Sequence, residues 1–168
     1  MQIAGAYFDE SGSDAGSPVL CVAGYVIEKE ACAQLCTDWQ KVLDDYSLPF
    51  FRMSACAHHT DPFDKISRPD CIEVEKRMIA IIKRSVSCGI AITVDPKDFA
   101  QIVPSFPDIG SPYSYCCRLC LTDVKHWIND EAHFDGEMAY FFESGHVRSI
   151  TPDPEIREIP DLNSLNTE

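Results

Sequence analysis

The chain has 168 residues, of which 45% are hydrophobic and 24% charged, and a formal net charge of -13. That length suits one domain burying roughly two thirds of its unfolded surface, so neither disulfides nor a structural metal are required for stability. The acidity opposes passive binding to a polyanion; a nucleic-acid partner would need divalent cations or a local basic patch to reverse the field.

Nine cysteines, an odd number, fall inside apparent helices and strands rather than at the regular spacings of a small secreted scaffold, and are expected to be reduced, intracellular thiols. The start shows no basic stretch followed by an apolar core of a leader, and no apolar run is long enough to cross a bilayer. The expectation is a soluble cytoplasmic protein with no membrane partner.

The first predicted element is the apolar run from Ile3 to Phe8, which breaks directly into Asp9-Glu10-Ser11-Gly12. A run of that length bounded by a turn signal predicts a buried strand, and charge at its end is costly unless exposed, paired or metal-bound. Ser11 to Pro18 is a Gly, Ser and Asp loop, and Val19 to Ile27 is a second apolar run, so the two strands suggest a hairpin. From Glu28 to Tyr46, Cys32, Leu35, Cys36, Trp39, Val42, Leu43 and Tyr46 recur at helical spacing, with Glu28 and Glu30 where the helix dipole favours acid.

Pro49 to Met53 is a short apolar piece that suggests a third strand, and Ser54 to Pro69 a polar loop with His58, His59, Asp61 and Asp64. Cys71 to Ser87 predicts a second helix with a broad apolar face, stopped by Gly89. Ile90 to Val94 is another strand, running into Asp95-Pro96-Lys97-Asp98. Pro104 to Pro112 is a loop, Tyr113 to Asn129 a third helix, and Met138 to Phe142 a final strand ending in Glu143-Ser144-Gly145-His146. Beyond Ile150, three prolines interrupt a charged segment without usable period, so 150–168 is expected to be an irregular or flexible tail.

This order points to an α/β fold, a hairpin followed by parallel strands linked by helices. In such sheets ligands collect beyond the carboxyl ends of the parallel strands. If the strands of Asp9, Asp95 and Glu143 are parallel neighbours, three carboxylates converge there, and a hard divalent cation, Mg²⁺ or Mn²⁺, would relieve their repulsion. Asp9 and Glu10 cannot both face the site while the strand continues, because successive side chains alternate; Asp9 is assigned as the ligand and Glu10 a supporting role. Asp residues at strand ends also simply start turns, as Asp95-Pro96 would readily do. His146 or His59 is the candidate for proton transfer.

Other motifs carry less. Cys117-Arg118-Leu119-Cys120 has the gap of a zinc knuckle, but Cys116, Cys117 and Cys120 lie on the apolar stripe of a helix, which favours core cysteines. No phosphate-binding glycine loop, dinucleotide fingerprint or nucleophile elbow occurs. Lys76, Arg77, Lys83 and Arg84 suit a solvated helix face, whereas Arg52 and Arg68 flank the histidine loop.

The strings Tyr7-Phe8-Asp9-Glu10-Ser11-Gly12, Val22-Ala23-Gly24-Tyr25-Val26, Val94-Asp95-Pro96-Lys97-Asp98-Phe99 and Phe142-Glu143-Ser144-Gly145-His146 resemble the family catalogued as domain of unknown function 3800. The resemblance implies a ribonuclease-H-like mixed sheet with an N-terminal hairpin and flanking helices over 1–149, lacking its C-terminal part. It further implies a metal-dependent nuclease-type site in which Asp9, Asp95 and Glu143 match the acidic positions and Glu10 belongs to the opening motif. Arg52 stands where many members place a histidine. The expectation is therefore a divalent-metal-dependent nuclease acting on DNA or RNA. The alternatives are a degenerate binding module working through protein contacts, or a small-molecule phosphohydrolase.

Overall fold

Two largely apolar runs open the chain as Ile3–Ser11 (β1) and Leu20–Glu28 (β2), in a computed structural model that describes residues 2–14, 16–132 and 134–142. Gly12 makes the exit from β1 possible: its φ is +80°, and a Cβ there would lie 1.9 Å from the Val19 carbonyl oxygen. Among the described residues the remaining strands are Cys88–Val94 (β3) and Glu137–Phe142 (β4), and the sheet order is β3-β2-β1-β4.

Register settles the directions. Tyr7 stacks on Phe141 and Phe8 on Phe142, while the Glu137 N–H donates to the Gln2 carbonyl, so numbers rise together and β4 runs the same way as β1. The Ser87 N–H donates to the Val26 carbonyl, and a little further on Gly89 sits beside the Tyr25 ring, so β3 opposes β2. The sheet is mixed and helices flank it, an α/β architecture. Among the described residues, no helix is long and apolar enough to cross a membrane, and none of the nine cysteines forms a disulfide.

The chain divides into two compact units. The first comprises residues 2–5, Val26–Cys88 and Asp135–Met138. It carries helices Lys29–Asp45 (α1), Met53–His58 (α2) and Arg68–Ser85 (α3). The expected helix at 71–87 starts earlier because Ser67 caps it: its Oγ accepts the Asp70 N–H at 3.2 Å and donates to Asp70 Oδ2 at 2.6 Å, with Pro69 in the first turn. Val42, Leu43, Leu48, Cys56, Phe63, Val74, Met78 and Ile81 form its core. Arg77 pairs with Asp45 and Arg84 with Asp38, each at 2.7 Å, tying α3 to α1.

The third strand expected at 49–53 does not form. Residues 50–52 belong to no strand, and Met53 begins α2. Phe51 is apolar for another reason: its ring packs edge-on against Trp39 at 5.7 Å and Phe63 at 5.9 Å, filling a helical core instead of a sheet.

The second unit comprises Ala6–Tyr25, Gly89–Phe134 and, of the described residues beyond, 139–142. Its helices are Pro96–Ile102 (α4) and Pro112–His126 (α5), after which the turns widen into a π-helix through Ala132. The sequence pattern does not predict α4. Asp95 caps it and Pro96 occupies its first position, where a missing N–H costs nothing. Ser111 and Pro112 repeat the device for α5. The apolar stripe of α5, Cys116, Cys117, Cys120 and Val124, is buried, and Cys120 Sγ lies 3.7 Å from the Val22 carbonyl.

Candidate functional site at the end of the first strand

β1 alternates through the second unit: Ala6 and Phe8 are buried, Tyr7 is half-buried, Asp9 exposed and Glu10 half-buried. Asp9 therefore shares a sheet face with Tyr7, and Glu10 shares the opposite face with Phe8. Asp9 Oδ1 accepts the Glu10 N–H at 2.7 Å, which fixes one carboxylate oxygen. Asp9 also lines an open groove with Tyr7, Ala23, Tyr25, Gly89 and Ala91.

Glu10 faces α5. Its negative charge adds to the upward shifts of Tyr113 and Cys117, which sit one helical turn apart. Burial is the main cause in both. The Cys117 thiol is pushed up to about 11, although a hydrogen bond from the Tyr113 hydroxyl works in the opposite direction. Tyr113 is raised by burial first, then by Cys117, Glu10 and Asp9. Both groups keep their protons at neutral pH. Cys117 is thus no thiolate nucleophile, and the Tyr113 O–H is given to that thiol. Sequence reasoning misses Tyr113 entirely. The one available signal is the parity of Glu10 with Ala6 and Phe8, which puts it on the core face.

Asp95 follows β3, whose direction matches β1, but β2 lies between them, so the expected adjacency of the two strands does not hold. Two strand spacings amount to about 10 Å. Asp95 Oδ1 accepts the Lys97 N–H at 2.7 Å as the helix cap, its second oxygen remaining for other contacts. Glu143 and His146 lie outside the described residues. Phe142, the residue before Glu143, stacks at 5.0 Å on Phe8, the residue before Asp9.

The alternative histidine, His59, sits in the first unit at a left-handed turn ending α2, with Nε2 3.0 Å from the Ile66 carbonyl, a structural tie. Among the described residues, no three His, Cys, Asp or Glu side chains stand close enough together to hold a metal ion. Comparison with protein-family models, with curated proteins and with solved structures gave no match.

Proposed function

We propose that the chain is a divalent-metal-dependent nuclease of ribonuclease-H-like fold whose site lies at the carboxyl ends of β1 and β4, with Asp9 and Glu143 as its central acids. One observation carries this reading: two neighbouring strands run in the same direction with Phe8 beside Phe142, and each of those residues is followed in the chain by a carboxylate. The order β3-β2-β1-β4, with the hairpin in the middle, suits the resemblance to domain of unknown function 3800.

Carboxylate oxygens suit Mg²⁺ or Mn²⁺, but the described residues alone do not make a cage, so Asp9 needs Glu143 as its partner. Asp9 and Glu143 would hold such a cation, which when bound would supply charge neutralisation and a more acidic water. For its part, Glu10 supports the site from the opposite face of β1, toward Tyr113 and Cys117 on α5. Asp95 joins only by leaning its second oxygen across β2, and His146 is the candidate proton carrier following Glu143.

The test is calorimetric titration with Mn²⁺ together with a cleavage assay on labelled DNA and RNA. Millimolar or tighter binding and metal-dependent cleavage, both lost in Asp9→Asn and Glu143→Gln, are expected. Full cleavage by Asp9→Asn would sink the proposal. A second reading, a binding module that works through protein contacts, is favoured by the use of Asp95 as a helix cap. Absence of Mn²⁺ binding at millimolar concentration selects it.

A further inference from the structure

The open face of the sheet in the second unit holds a groove of about 490 Å³, within the usual range for small-ligand sites. Its floor is made of small residues, Ala23 on β2 and Ala91 on β3, so a flat ring can approach the backbone closely there. Tyr7 and Tyr25 flank that floor. The Tyr7 ring continues into Phe141, stacked at 4.6 Å and only 4° from parallel. Tyr25 lies with its ring edge over Gly89, and it remains 45% exposed.

Charge narrows the occupant. Among the described residues, no lysine or arginine lines the groove, and its single charged group is the Asp9 carboxylate at the rim. A phosphodiester would be repelled there, whereas an uncharged nucleobase offers a stacking face to the tyrosines and an exocyclic amino donor to the carboxylate. A paired base has both its faces and its amino group engaged, so only an unpaired one fits.

We propose that this groove stacks an unpaired nucleobase of single-stranded nucleic acid against Tyr25 and Tyr7 and presents the strand to Asp9. The proposal rests on the nuclease reading for its purpose, since it places substrate beside the same carboxylate. The base is held by the aromatic faces, and the backbone phosphates lie outside the groove.

The experiment measures anisotropy of labelled oligodeoxyadenylate, oligoriboadenylate, an abasic strand of equal length and a duplex, in Ca²⁺ without Mg²⁺ or Mn²⁺, so that a divalent cation screens the acidic chain while binding is read without cleavage. Tyr25→Ala is expected to weaken the adenylate strands by about tenfold or more, as loss of one base stack does. Tyr25→Phe keeps the ring and should bind within about twofold of the parent. The abasic strand and the duplex should bind the parent as weakly as adenylate binds Tyr25→Ala, with circular dichroism showing each variant folded. The ratio between deoxy and ribo strands identifies the nucleic acid preferred. Equal binding by Tyr25→Ala and the parent, equal binding of abasic and adenylate strands, or no binding of any strand overturns the proposal. Cleavage with unchanged Tyr25→Ala binding refutes the groove and leaves the nuclease reading standing. Ring-dependent binding without cleavage does the reverse.

Discussion

Replacing Gly24 by alanine is expected to damage the sheet where Gly89→Ala does not. A Cβ on Gly24 would lie 2.2 Å from the Tyr7 carbonyl oxygen and 2.4 Å from Phe8 Cδ1. The first wall is strand backbone, and the second is a ring only 5% exposed that is itself stacked on Phe142. Relief requires β1 and β2 to part by about 1 Å, and overpacking of this kind costs about 1–3 kcal/mol, more where backbone must move. The entropy gained by removing a strand glycine offsets only about 0.5–1 kcal/mol. The expected net loss is therefore about 2 kcal/mol or more. At Gly89 the nearest atom would be Tyr25 Cε1 at 3.4 Å, ordinary contact, so alanine there should be neutral or stabilise by up to about 1 kcal/mol. Urea unfolding followed by tryptophan fluorescence reads both variants against the parent. A Gly24→Ala protein within about 0.5 kcal/mol of the parent would show that the close approach of β1 and β2 is not as described, and the positions of Phe8 and Asp9 would lose their support.

Three further outcomes are expected. Asp95→Asn keeps a capping oxygen for the Lys97 N–H and should unfold as the parent does, whereas Asp95→Ala should lose about 1 kcal/mol by denaturant titration; an Asn variant that is stable but inactive in the cleavage assay would make Asp95 more than a cap. Phe63, fully buried between Phe51 and the α1 and α3 core, should cost about 3–5 kcal/mol when replaced by alanine, and a loss under about 1 kcal/mol would contradict that core. Burial holds Cys117 up to about 11 and Cys120 up to about 12, against about 9 for a free thiol, so the folded state keeps protons that the unfolded chain releases. Their contribution is fully present below pH 9 and is lost as pH rises through the folded values. Melting temperature should therefore fall from about pH 9 upward, and Cys120→Ala should flatten that slope; parallel slopes for the two proteins would refute the assignment.

Much of the fold is legible from local pattern. The helical spacing of Leu35, Trp39, Val42 and Leu43 marks α1 almost to the residue, and the apolar stripe of Cys116, Cys117 and Cys120 marks them as core cysteines. Apolar runs bounded by turn residues mark β1, β2, β3 and β4. Where period fails, the elements are short. Phe50-Phe51 resembles a strand in composition, yet Phe51 serves a helical core, and the seven residues of α4 are too few for a visible repeat.

The candidate site divides along the same line. From sequence alone come the acids at strand ends, the alternation that separates Asp9 from Glu10, and the turn that Gly12 permits. Only tertiary structure decides which of those acids share neighbouring strands, because strand order depends on which faces bury the most surface, information spread over the whole chain. It inserts β2 between β1 and β3, assigns Asp95 a helix to cap, and sets Phe142 beside Phe8. It also brings Tyr113 toward Glu10 and leaves Tyr25 exposed over Gly89, two juxtapositions across long stretches of chain that no local spacing encodes.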